Sequence, residues 1–123
     1  MQEKEKYMSK KKITLKITEN GNILNVDTIG IKEENNLKFF LEQKKVTLLI
    51  NNDNIIMDRR IDNDMYIKMI FDKNNPKAIC IMNDKTFDMN IEVKNLITKE
   101  NEIKIKYRLE ENEFELELKV GEI

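Results

Sequence analysis

The side chain with the greatest chemical reach in this 123-residue chain is Arg59. In the run Ile55-Ile56-Met57-Asp58-Arg59-Arg60-Ile61, alternation places Ile55, Met57, Arg59 and Ile61 on one face and Asp58 and Arg60 on the other. A guanidinium on the apolar face of a strand can hold a ligand carboxylate or phosphate in its planar fork. It can also meet an internal acceptor such as Tyr107 or a carboxylate from a neighbouring strand, or lie at a rim in water. Met57, Met65, Met69, Met82 and Met89 fall largely on inward parities as well. Methionine is a flexible core filler, and it also suits a surface that adapts to variable apolar ligands. Arg59, Met57, Met69 and Tyr107 therefore form the candidate ligand-binding set, for a small apolar or anionic ligand. Ordinary packing explains the methionines equally well.

The rest of the chemical inventory is mostly exclusion. The chain has no His, which removes imidazole acid–base catalysis and His-ligated metals. Its single cysteine, Cys80, rules out an internal disulfide framework and any CxxC motif. Cys80 sits in a short apolar stretch with no basic neighbour to lower its pKa, and reads as an inert thiol. Asp53/Asp58 and Asp62/Asp64 offer carboxylates without EF-hand spacing; Asp62-Asn63-Asp64 is turn chemistry instead. No catalytic residue, cofactor or metal is expected, and the chain reads as non-enzymatic.

The elements that must position these residues follow a rhythm of two. Ile13, Leu15 and Ile17 alternate with Thr14, Lys16 and Thr18 before an Asn20-Gly21 hairpin signal. Ile23–Ile31 reads as a strand bent near Gly30. Strands follow over Leu37–Gln43, Val46–Ile50 after a tight Lys44-Lys45 connection, Ile55–Ile61, Met65–Phe71 and Ala78–Met82. The run Phe87, Met89, Ile91, Val93 is next, then Ile103–Leu109 and Phe114–Val120. About eight to ten short strands joined by turns, with no long amphipathic helix for crossovers, predict an all-β, antiparallel up-and-down barrel. Closing the sheet removes its edges. Glu113, Glu115 and Glu117 are expected to face Lys104, Lys106 and Arg108 across the last hairpin.

Composition bounds the rest. Lys plus Arg number 22 against 23 Asp plus Glu, for a net charge of −1, which argues against a nucleic-acid partner. No apolar run is long enough to cross a bilayer as a helix, so no membrane partner is expected. Residues 1–12, MQEKEKYMSKKK, lack the apolar core of a secretory signal and read as a charged tail, with 13–123 as one domain. Lys10–Lys12 is at most a weak anion-attracting patch. A cytoplasmic location is the expectation.

The order of these elements resembles the YwiB-like family of small bacterial calycin-like β-barrel proteins. The resemblance runs from Ile13 to Val120. It is carried by the Glu34–Leu41 hairpin, VTLLINNDNIIMDRR (Val46–Arg60), MYIKMIFDK (Met65–Lys73), EIKIKYRLE (Glu102–Glu110) and ELELKV (Glu115–Val120). The family has a longer connection where this chain has Lys44-Lys45, and a Gly after a Thr where this chain has Thr86-Phe87-Asp88. The resemblance implies a calycin- or lipocalin-like barrel in a bacterial cytoplasm and no established activity.

Two functions compete on this reading. One is a barrel that takes a small ligand into its lumen with Arg59 as polar contact. The other is an interaction module that works through its outer surface, with Phe40, Leu49, Ile56 and Ile70 as a patch or homodimer seam. A lumen open by a few hundred Å³ would favour the first; one filled by Phe39, Phe71, Phe87 and Phe114 would favour the second.

Overall fold

In the computed structural model, residues 8–123 are described, and every regular element among them is a β-strand. The strands are β1 (Met8–Glu19), β2 (Asn22–Glu33), β3 (Asn36–Leu41), β4 (Lys44–Ile50), β5 (Ile55–Asp62) and β6 (Met65–Phe71). They continue as β7 (Lys77–Met82), β8 (Lys85–Met89), β9 (Ile91–Lys99), β10 (Glu102–Leu109) and β11 (Asn112–Gly121). All pairings are antiparallel and make one sheet in the order β8-β7-β6-β5-β4-β3-β2-β1-β11-β10-β9. Its two ends, β8 and β9, are consecutive in the chain, so the sheet curls into a nearly closed barrel.

The turns set the register. Asn20-Gly21, Glu42-Gln43 and Asn83-Asp84 each hold both central residues at positive φ, from 51° to 89°. That is the type I′ geometry, whose twist matches that of the strands it joins. The third connection therefore lies at Glu42-Gln43, not at Lys44-Lys45 as expected; both lysines belong to β4. The N-terminal boundary also moves. Met8–Lys12 pair with Ile29–Glu33 of β2 and are strand rather than tail, while residues 1–7 lie outside the described residues.

The strand count is eleven, not eight to ten, because the single run expected through Phe87 and Val93 is two strands. Met89 pairs with Ala78 on β7, whereas Ile91 pairs with Leu109 on β10. Asn90 is the corner between them. Its N–H donates to Glu110 Oε2 at 2.8 Å, and its carbonyl accepts the Glu110 N–H at 2.8 Å. Alternation continues through Asn90 unbroken, so the sequence carries no mark of the change of partner.

A second corner lies on β2. This strand pairs with β1 over its whole length but with β3 only at Ile31–Glu33. At Gly30 the two strands come into close contact: a Cβ there would stand 2.7 Å from the Lys38 carbonyl oxygen and 3.2 Å from Phe39 Cβ. Only a residue without a side chain permits this approach.

The inward faces fill the barrel. Ile13, Leu15, Leu37, Leu48, Ile55, Phe71 and Leu118 are fully buried. Phe71 on β6 lies 4.7 Å from the Tyr107 ring of β10, and Tyr107 stacks on Phe114 of β11 at 5.0 Å. These distances are in the range of favourable aromatic pairs, and the Phe71–Tyr107 contact ties opposite walls together. Phe39 joins this core, but Phe87 does not: on short β8, beyond the Asn90 corner, it is 46% exposed.

The charged stripe takes the expected register, with Glu117, Glu115 and Glu113 opposite Lys104, Lys106 and Arg108. Lys16 of β1 flanks Glu117 on its other side. Arg108 Nε lies 3.3 Å from Glu113 Oε2, and Lys94 Nζ 3.0 Å from Glu113 Oε1. The hydrogen bond from Lys94, then its charge and that of Arg108, hold the Glu113 carboxyl below its ordinary value. Reversing Glu115 and Glu117 together to Lys sets a new ammonium between Lys16 and Lys104. The expected loss is about 1 kcal/mol or less, and it shrinks as salt is raised. Urea unfolding at low and high salt measures it; a loss unchanged by salt contradicts the pairing.

Candidate functional site

The expected ligand set is partly assembled. Arg59 pairs with Val46 and Ile67, and since Val46 is buried, Arg59 faces the lumen as its parity required. The β5 bulge falls after Arg60, which takes Ile61 out of phase and leaves Arg59 in place. Arg59, Met57 and Tyr107 line one small cavity together with Leu15, Ile17, Phe39, Leu41 and Val46. Met69 is not on that wall; it packs as the cross-strand partner of Met57, and both are buried. Met82 is exposed, and Met65 and Met89 are half-buried, so the lumen is not lined by methionine throughout.

The cavity holds about 10 Å³. That is about the least a single water needs. Around Arg59 the lumen is filled, and a ligand of even a few heavy atoms placed there would have to displace Met57, Phe39 or Tyr107.

Arg59 is half-buried at the mouth of this space. Among the described residues, no carboxylate lies within ion-pair distance of its guanidinium. Tyr107 is 4% exposed, and burial pushes its phenol above the ordinary value of 10.0, with Arg59 pulling the other way and Glu19 adding a smaller push upward. The folded state therefore keeps this proton at a pH where the unfolded chain has lost it. Stability from this group is intact below pH 10 and falls as pH rises past it. Relative to Tyr107→Phe, the protein is expected to lose on the order of 1 kcal/mol by pH 11. Urea midpoints of both proteins from pH 8 upward check this; parallel curves contradict it.

The Asp62 and Asp72 carboxylates are engaged by the backbone of their own turns. Asp62 Oδ1 accepts the Asn63 N–H at 2.7 Å, and Asp72 Oδ1 accepts those of Asn74 and Asn75 at 2.9 and 3.2 Å. Among the described residues no group of three or more potential metal ligands occurs. Cys80 is a free, half-buried thiol.

The outer surface is more informative. Leu49, Ile56 and Ile70 stand in one cross-strand row on β4, β5 and β6, as a patch would require, but all three are half-buried by their neighbours. Phe40, four residues further along β3 from that row, is exposed at 59%. Four exposed large apolar side chains lie on β2, Ile23 at 58%, Ile29 at 57%, and Leu24 and Ile31.

This is also where backbone groups are unpaired. Glu19 and Asn22 close a two-residue hairpin, which makes them a hydrogen-bonded pair and fixes the phase of the whole ladder. Leu24, Val26, Thr28 and Gly30 then bond to β1, while Ile23, Asn25, Asp27 and Ile29 turn their N–H and C=O groups the other way. Ile31 and Glu33 spend theirs on β3; the four before them have no strand among the described residues to meet. Sequence reasoning missed this edge. The available signal was charge: Asn22–Ile31 contains one charged residue, Asp27, in a chain that is 37% charged.

Among the described residues no helix is long and apolar enough to cross a membrane. No protein-family model matches the sequence, and no curated protein sequence matches it. A structural likeness is clear: the ywiB protein from Bacillus subtilis, known from its crystal structure, superposes with a TM-score of 0.67. The alignment covers 97% of each chain at 13% identity. The fold is that of a YwiB-like small β-barrel, as the order of elements in the sequence implied.

Proposed function

We propose that this chain is a non-enzymatic binding module that accepts an extended polypeptide segment along the open edge of β2. The observation that carries the proposal is the run Ile23–Ile29, in which four successive outward-facing residues offer unpaired backbone donors and acceptors. Such an edge is a template for strand addition, with main-chain bonds supplying affinity and alternate side chains supplying selectivity. Exposed Ile23 and Ile29 favour a segment with apolar residues at matching positions. The filled lumen weighs against a small ligand held inside the barrel, and the absence of His and of a reactive thiol environment weighs against catalysis. A cytoplasmic setting suits the free Cys80.

A photo-crosslinking residue placed at Ile29 tests the reading, with one at Lys119, on the outer face of β11, as control. Ile29 is expected to capture a polypeptide in cells of the native host and Lys119 is not. Equal capture at both sites contradicts the reading. So does a melting temperature raised by a fatty acid or nucleotide and returned to normal by Arg59→Met.

A further inference from the structure

Proteins usually protect their sheet edges, and the other free edges here follow that practice. β8 has only five residues and carries Lys85 and Asp88; β9 carries Glu92, Lys94 and Lys99 and is bulged against β10. Short length, charge and bulging each discourage strand addition. The edge of β2 over Asn22–Ile29 is neither short nor bulged, and Asp27 is its one charge.

We propose that the segment accepted on this edge is β2 of a second copy of the chain, paired antiparallel about a two-fold axis through Val26. The inference rests on the edge being a strand acceptor and adds the identity of the strand. Register supports it. Only Ile23, Asn25, Asp27 and Ile29 have free backbone groups, so a bonded register must match members of this set with one another. Centred on Val26, all four are used: Ile23 meets the partner's Ile29, and Asn25 meets the partner's Asp27, each twice by symmetry. Exposed isoleucines are then covered by one another, and an amide faces a carboxylate. Moving the centre to Asn25 sets Ile23 against the partner's Asp27 and leaves Ile29 unmatched. Moving it to Asp27 opposes two carboxylates. The added strand occupies the place in the sheet that β3 leaves when it diverges after Lys38.

Sedimentation equilibrium over a concentration series extending to the millimolar range tests this with two substitutions at one exposed position. Asn25→Asp opposes carboxylates at two symmetric places, and its dimer Kd is expected to rise about ten-fold; Asn25→Lys sets ammonium against carboxylate at both, and its Kd is expected to fall by a similar factor. Within each copy, position 25 lies opposite Lys16, so Asp suits the monomer and Lys does not. An effect acting only through monomer stability would reverse the order, and thermal melts of each variant register that effect separately. A wild-type chain that is monomeric throughout overturns the inference, as does a shift of Kd in the same direction for both variants. If the chain is monomeric while the crosslinker at Ile29 still captures another polypeptide, self-pairing fails and the strand-acceptor reading stands. If neither occurs, both fail.

Discussion

Phe71→Ala is expected to lower the free energy of unfolding by about 3–5 kcal/mol. Phe71 is fully buried on β6, and its ring meets Tyr107 from the opposite wall. Truncation removes the apolar area and leaves a void that β-strands locked into a ladder cannot close. It also breaks the first contact in the row Phe71–Tyr107–Phe114. Phe71→Leu keeps most of the volume and is expected to cost less than about 1.5 kcal/mol. Urea unfolding of the three proteins measures both. A loss below about 1 kcal/mol for the alanine variant would mean that the two walls do not meet at this ring.

Gly30→Ala is the second large effect, at about 3 kcal/mol destabilising. The cause is space, since its Cβ would fall 2.7 Å from a backbone oxygen, that of Lys38, and 3.1 Å from Ile13 Cγ1. Backbone cannot rotate aside as a flexible side chain can, so β2 and β3 must separate. Those strands hold each other only at Ile31–Glu33, and the added methyl sits immediately beside that short ladder. Gly121 provides a control, because a Cβ there meets nothing within 4 Å. Equal melting temperatures for Gly30→Ala and Gly121→Ala would contradict the crossing at this corner.

What the sequence revealed and what it hid divide on physical lines. Side-chain parity is local, so Arg59 facing the lumen and the Glu113–Glu117 stripe against Lys104–Arg108 were legible. Choice of neighbour is not local. Nothing in Phe87–Val93 distinguishes one strand from two that pair with β7 and β10 in turn, because alternation runs unbroken across Asn90. The split pairing of β2 was hidden for the same reason, and with it the open edge. Volume was hidden as well. Inward Arg59, Met57 and Tyr107 are compatible with either an open or a filled lumen, and only the packing of Phe39 and Leu41 around them decides that the space is about 10 Å³.

Residue-resolved amide hydrogen exchange, measured on dilute and on concentrated protein, tests the claim that the open edge of β2 pairs with a second copy of the chain. Leu24, Val26 and Thr28 donate to β1 and are expected to be protected at both concentrations. Ile23, Asn25, Asp27 and Ile29 are expected to exchange freely when dilute and to gain protection together when concentrated. Protection that stays flat at those four amides at every concentration would contradict the account.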